Sequence, residues 1–174
     1  MSKKHLFSLI LTAIFVAITV VLGRFFSVNI WNMSIGFSFV SVLLCGMLLG
    51  PLWGGLCGGL ADFIGAILFP FGTYFPGFTA TAFLKGALYG VVGILAKRQG
   101  KKWIFVAFAA ALLALGEGAF SLLLNSLWIS ILYGTPFAAV LVSRIPLCAA
   151  TFVLQVAFAA LLSGTLLPRI NKEL

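Results

Sequence analysis

Uncharged apolar runs recur along the chain at 6–23, 34–50, 52–69, 77–96, 103–128 and 137–162, separated by short clusters of charge, proline or glycine. Each run approaches the roughly 20 predominantly apolar residues that carry an α-helix across a bilayer. A β-barrel would instead read as segments of about 10 residues with alternating character, and these runs do not alternate. The pattern predicts an all-α membrane protein, one six-transmembrane-helix bundle over 1–174, with connections too short for a soluble domain. Gly50-Pro51 reads as a tight hairpin between the second and third helices, because proline restricts the residue before it and suits the first position of a helix.

Composition then removes the soluble alternatives. Of 174 residues, 63% are apolar and 8% charged, with a mean hydropathy of +1.23, more apolar surface than a water-soluble fold can hide. Charge supplies direction. Lys3, Lys4, Lys97, Arg98, Lys101, Lys102, Arg169 and Lys172 fall at three places that six spans put on one face. The positive-inside rule assigns that face and both termini to the cytoplasm, as expected of a multi-pass membrane protein. The net charge of +8 is thus a topogenic signal and not a nucleic-acid surface. Trp31, Trp53, Trp103 and Trp128 lie near span ends, where interfacial belt residues belong. The first apolar run exceeds a signal-peptide core and is not closed by a small-x-small cleavage site, so it is expected to be helix one. Cys45, Cys57 and Cys148 all fall within spans, at spacings that suggest neither a metal site nor a disulfide framework.

Five ionisable residues remain inside the bundle: Arg24, Asp62, Lys85, Glu117 and Arg144. Charge at membrane depth is costly, so each is a candidate for a functional site facing the interior or a water-filled cavity. Asp62 lies seven residues before the outer end of the third span and Lys85 eight after the outer start of the fourth, so both sit about 10–12 Å deep. Equal depth predicts an Asp62–Lys85 ion pair, which either locks the two helices or contacts a ligand. Arg24 and Arg144, in the outer half without neighbouring carboxylates in sequence, point to an anionic ligand taken from outside. Interfacial snorkelling is the other reading of Arg24. Glu117 lies deeper, where it could accept hydrogen bonds from a nitrogen-rich ring or pair with a cation from another helix.

The outer connections mix rings with turn formers. Phe69 to Thr79 contains two prolines, two glycines and five aromatics, among them Tyr74, Phe75, Pro76, Gly77 and Phe78. Irregular backbone at that depth is tolerated where it lines a cavity, and the rings offer stacking faces, although an interfacial aromatic loop has the same composition. The stretches Phe25 to Asn32 and Leu132 to Phe137 share this character on the same face. Small-xxx-small steps, Ala13/Ala17, Gly46/Gly50, Gly54/Gly58 and Gly86/Gly90, permit close helix approach, within the chain or to another subunit. Neither a phosphate-binding Gly-x-x-x-x-Gly-Lys loop nor a nucleophile–base pairing is evident, and the lone His5 cannot build a metal cluster. A non-catalytic protein with no cofactor is expected, and any ATP hydrolysis must come from partners.

Gly59-Leu60-Ala61-Asp62-Phe63-Ile64-Gly65, Phe69-Pro70-x-Gly72-x-Tyr74-Phe75-Pro76-Gly77-Phe78-Thr79 and Leu84-Lys85-Gly86 resemble the folate-specific substrate-binding (S) components of energy-coupling factor transporters. Arg24-Phe25, Asn125-Ser126-Leu127-Trp128 and Leu132-Tyr133-Gly134-Thr135-Pro136 fit the same family, so the resemblance covers nearly the whole chain. It implies a six-helix subunit that captures a vitamin outside and associates with a transmembrane coupling subunit and two cytoplasmic ATPases. It also implies that Ala13 and Ala17 dock on the coupling subunit, although the alanine motif is shorter than the family's fullest form, with Thr12 and Val16 around it. Together with the interior charges Glu117 and Arg144, the matching motifs make Arg24, Asp62, Tyr74, Phe75, Pro76, Gly77, Phe78, Thr79, Lys85, Asn125 and Trp128 the candidate ligand-binding residues. Folate suits them: its tail carboxylates suit cations, its rings suit aromatic stacking, and its pteridine donors suit a carboxylate or amide. Another vitamin such as thiamine would favour acidic pocket residues. A stand-alone secondary carrier, or a structural membrane protein without a ligand, would need no ATPase partners.

Overall fold

The computed structural model describes residues 3–30, 33–70, 72–98 and 102–170. Trp31, Asn32, Phe71, Lys101 and Lys172, each of which carried a sequence-based expectation, lie outside the described residues. Element order is α1 (Lys3–Phe25), β1 (Ser27–Ile30), β2 (Met33–Gly36), α2 (Ser38–Leu49), α3 (Pro51–Leu68), α4 (Pro76–Arg98), α5 (Lys102–Leu115), a π-helical segment (Gly116–Leu124), α6 (Asn125–Tyr133) and α7 (Phe137–Ile170). The helical bundle expected from the hydropathy pattern is present, with one short β-hairpin added to it. Among the described residues, five stretches are long and apolar enough to cross a membrane, the fourth of them running unbroken through α5, the π segment and α6.

Two departures from the hydropathy pattern shape the interior of the bundle. The run 34–50 does not begin as a helix: its first residues form β2, which pairs antiparallel with β1 so that Ser27 faces Gly36 and Val28 faces Ile35. The next helix has only 12 residues, about 18 Å of rise, shorter than the hydrocarbon layer. A hairpin therefore caps one end of the bundle beside α2. The second departure is the π segment, nine residues with Glu117 in its first turn. Such widened turns are rare and are frequently found at functional sites.

Packing explains why α2, α3 and α4 hold together. Gly50 adopts φ 102 and Pro51 takes the first helical position of α3, giving the expected sharp reversal. Gly54 and Gly86 meet backbone to backbone, since a Cβ on either would fall on the carbonyl oxygen of the other. Gly46 lies against Gly90 and Gly58 against Ala82 in the same seam. Around this seam Leu43, Cys45, Cys57, Val92, Phe105 and Leu113 are wholly buried. The outer surface is the reverse of a soluble protein's: Phe7, Leu52, Ile67, Val142 and Leu161 are each more than half exposed, facing what a bilayer fills with acyl chains.

Candidate ligand-binding site

Between the hairpin, α1, α3, α4, the π segment and α7 lies a cavity of about 440 Å³, within the range of small-molecule sites. Its wall gathers eight residues singled out from sequence: Arg24, Asp62, Tyr74, Phe78, Lys85, Glu117, Asn125 and Arg144. A second void of about 260 Å³ shares Arg24, Asp62 and Lys85 with it and runs inward between α1 and α4.

The charged groups are organised differently from the expected scheme. Lys85 pairs with Glu117 and also donates to Ser121 Oγ at 2.6 Å. Gln155 Nε2 of α7 donates to the same Glu117 oxygen at 2.7 Å. The predicted Asp62–Lys85 pair is not formed. Equal depth was the right observation but it ignores direction around the helix: Gly86 turns one face of α4 onto α3, and Lys85 beside it faces the π segment. Glu117 thus takes the second of its two expected roles. It is 4% exposed, and so buried a carboxylate is tolerable because a cation and an amide meet it.

Asp62 has its own partners. Thr79 donates to Asp62 Oδ2 at 2.8 Å, and Tyr74 donates in turn to Thr79 at 3.1 Å. The loop between α3 and α4 is therefore tied to the cavity wall through a hydroxyl chain, with Tyr74 edge-on to Phe63 at 5.9 Å. Arg24, from the end of α1, lies across Gly65, where a Cβ would come within 3.0 Å of its guanidinium. Asp62 and Gly65 are three apart on α3 and share a face, which brings Arg24 and Asp62 to one side of the cavity.

Phe75, Pro76, Gly77, Thr79 and Trp128 stand behind the wall. Pro76 opens α4. Phe75 packs on Trp128 with ring centroids 5.4 Å apart, and Gly77 has no room for a Cβ beneath those two rings. Trp128 Nε1 donates to Thr81 Oγ1 at 3.1 Å, so it braces the site where a membrane-belt position was expected. Sequence reasoning passed over Ser121 and Gln155, both in the wall. Serine is too common in membrane helices to stand out, whereas a lone glutamine inside the last apolar run was a usable signal. Cys148, read as a small apolar residue, is buried in the same wall. Ala13 and Ala17 are exposed on α1, away from the packing seam of this bundle.

A bundle of apolar, membrane-length helices around a cavity lined by three cations and two carboxylates has the form of a membrane protein that binds a small molecule. The family model described as "ECF transporter, substrate-specific component" matches residues 7–163, and the chain belongs to that family. Two similar proteins are both named folate transporter FolT. That of Clostridium novyi is 33% identical over 137 residues, 79% of this chain and 76% of the relative. That of Leuconostoc mesenteroides is 32% identical over 126 residues, 72% of this chain and 65% of the relative. A crystal structure of FolT bound with folic acid superposes with a TM-score of 0.77 at 34% identity, covering 90% of this chain and 92% of that one.

Proposed function

We propose that this chain is the folate-binding subunit of an energy-coupling factor transporter, taking folate from the outer face and handing it inward with power supplied by partners. The observation that carries this reading is the cavity itself, where three cations and two carboxylates are set among aromatic and amide groups. Folate is an anion at one end and a hydrogen-bonding heterocycle at the other. Arg24 and Arg144, on the outer part of α1 and α7, suit the glutamate tail, while Phe78 and Tyr74 supply ring faces. Thiamine, a cation, would meet Arg24, Lys85 and Arg144 unfavourably.

The termini and the α4–α5 connection face the cytoplasm in this reading, since alternating spans put Lys3, Lys97, Arg98 and Lys102 on one side. The exposed Ala13 and Ala17 lie four residues apart on one face of α1 and leave a shallow groove. That groove docks the transmembrane coupling subunit, which carries two cytoplasmic ATPases. Labelled folate competed against unlabelled folate or thiamine on the purified chain tests the ligand: folate should displace the label and thiamine should not. Displacement by thiamine would overturn the assignment. Folate uptake into liposomes by the chain alone would identify a stand-alone carrier instead.

A further inference from the structure

The fold brings Cys45 of α2 and Cys57 of α3 together, and we infer that they form a two-thiol site for a soft, two-coordinate metal ion of the copper(I) class. In sequence they stand on separate apolar runs and show none of the spacings by which metal sites are read. The reversal at Gly50-Pro51 folds α3 back on α2, and the two side chains come within hydrogen-bonding reach of each other.

The contacts of each thiol show how the pair is oriented. Cys45 Sγ donates to the carbonyl of Trp53 at 3.6 Å, the oxygen that the Cys57 amide meets in the regular pattern of α3. Thr19 of α1 closes the other side, its Oγ1 3.9 Å from Cys57 Sγ. The Thr19 hydroxyl already gives its proton to the Phe15 carbonyl at 2.7 Å, so in the contact with Cys57 the thiol is the donor. Both S–H protons are therefore directed at oxygens on other residues, and neither serves the neighbouring sulfur. The sulfurs are left with lone pairs in the space between them, an arrangement that a bridging cation stabilises. Both cysteines are wholly buried and carry no disulfide.

The donor set selects the ion. Thiols favour soft metals. Zinc in a structural site takes four ligands, and among the described residues no group of three or more His, Cys, Asp or Glu could hold a metal. A soft ion satisfied by two sulfurs remains, for which copper(I) is the natural probe. Binding replaces S–H bonds by metal–sulfur bonds and releases protons, with no change of oxidation state. The inner void of about 260 Å³ leads to the pair from the cavity side, since Thr19 and Gly58, the residue after Cys57, are both in its wall.

The experiment is a titration of purified, reduced chain with copper(I) under nitrogen, in competition with a chromogenic copper(I) chelator, with Zn²⁺ as a parallel arm. Wild type should hold one copper(I) per chain with two sulfur neighbours in its X-ray absorption spectrum, and should not retain Zn²⁺. Cys45→Ser and Cys57→Ser, each checked for monodisperse elution in detergent, should weaken retention by more than the about 10- to 100-fold that loss of a supporting group at a metal site costs. Cys148→Ser, which removes the thiol in the cavity wall, should hold the ion as wild type does. Wild type that yields all its copper(I) to the chelator overturns the inference without any variant having to fold. An ion that survives the loss of Cys45 or Cys57, or that is lost with Cys148, overturns it as well, as does equal retention of Zn²⁺.

Discussion

On one side of α4, Gly86 and Gly90 lie against the backbone of Gly54 and Pro51; on the other, Lys85 reaches Glu117 and Ser121 at the edge of a cavity. The first side has no room for a side chain, and the second is held apart by long polar ones. Neighbouring residues, Lys85 and Gly86, belong to opposite environments. Backbone contact through glycine gives a rigid seam without apolar side chains, which suits a membrane, where helices gain little from burying more hydrocarbon. The polar side costs desolvation, which the pairing of Lys85 with Glu117 and the amide of Gln155 offset. The seam fixes α4, and the fixed helix lets Lys85 and its partners shape a binding site.

The two sides should respond differently to substitution, and the seam most severely. Gly86→Leu would drive a side chain into the Gly54 carbonyl, backbone that cannot step aside. The cost should exceed the about 1–3 kcal/mol of ordinary overpacking, and size-exclusion profiles in detergent should show little folded monomer. On the polar side, Lys85→Met strips Glu117 of its cation and should cost about 3–5 kcal/mol, read as a fall in melting temperature. Adding Glu117→Gln to it should recover much of that loss. A double-mutant cycle of Lys85 with Glu117 should therefore be strongly non-additive, and one of Lys85 with Asp62 close to additive.

A smaller effect should separate binding from structure. Arg24→Ala should weaken folate about 10- to 100-fold and weaken pteroate, which lacks the glutamate tail, much less. Equal losses measured by calorimetry would return Arg24 to a structural role over Gly65. Ala17→Trp should do least to the isolated chain, changing stability and folate binding by within about 0.5 kcal/mol, because the position is exposed. The same variant should abolish ATP-dependent uptake and co-purification with the partner complex. Folate binding lost in step with uptake would place both alanines in the chain's own packing.

Much of this was legible from residue order alone. Long apolar runs, Gly50-Pro51 and the five interior charges all report physics that acts locally, and the bundle and the charged wall are consequences of them. What stayed hidden depends on neighbours in space. Residues 34–37 read as the start of a helix because the apolar run is continuous there, yet they pair with Ser27–Ile30 or turn into α2. The π segment opens with Gly116 and Gly118, which weaken an α-helix but do not specify a widened turn, so sequence alone did not reveal it. The Asp62–Lys85 pair failed on the direction of side chains around the helix, which depth along the axis does not contain. Gln155 carried a signal in sequence, an amide inside an apolar run, but its partner Glu117 lies 38 positions away and only the fold brings the two together.

The folate reading requires that this chain alone, without nucleotide or partners, encloses folate in the cavity bounded by Arg24, Asp62, Lys85, Glu117 and Arg144. Calorimetric titration of the purified wild-type chain with folate in the absence of ATP puts that requirement to the test. Saturable binding of one folate per chain is the expected result. The absence of binding by folate, and by any other pterin at micromolar concentration, would contradict it.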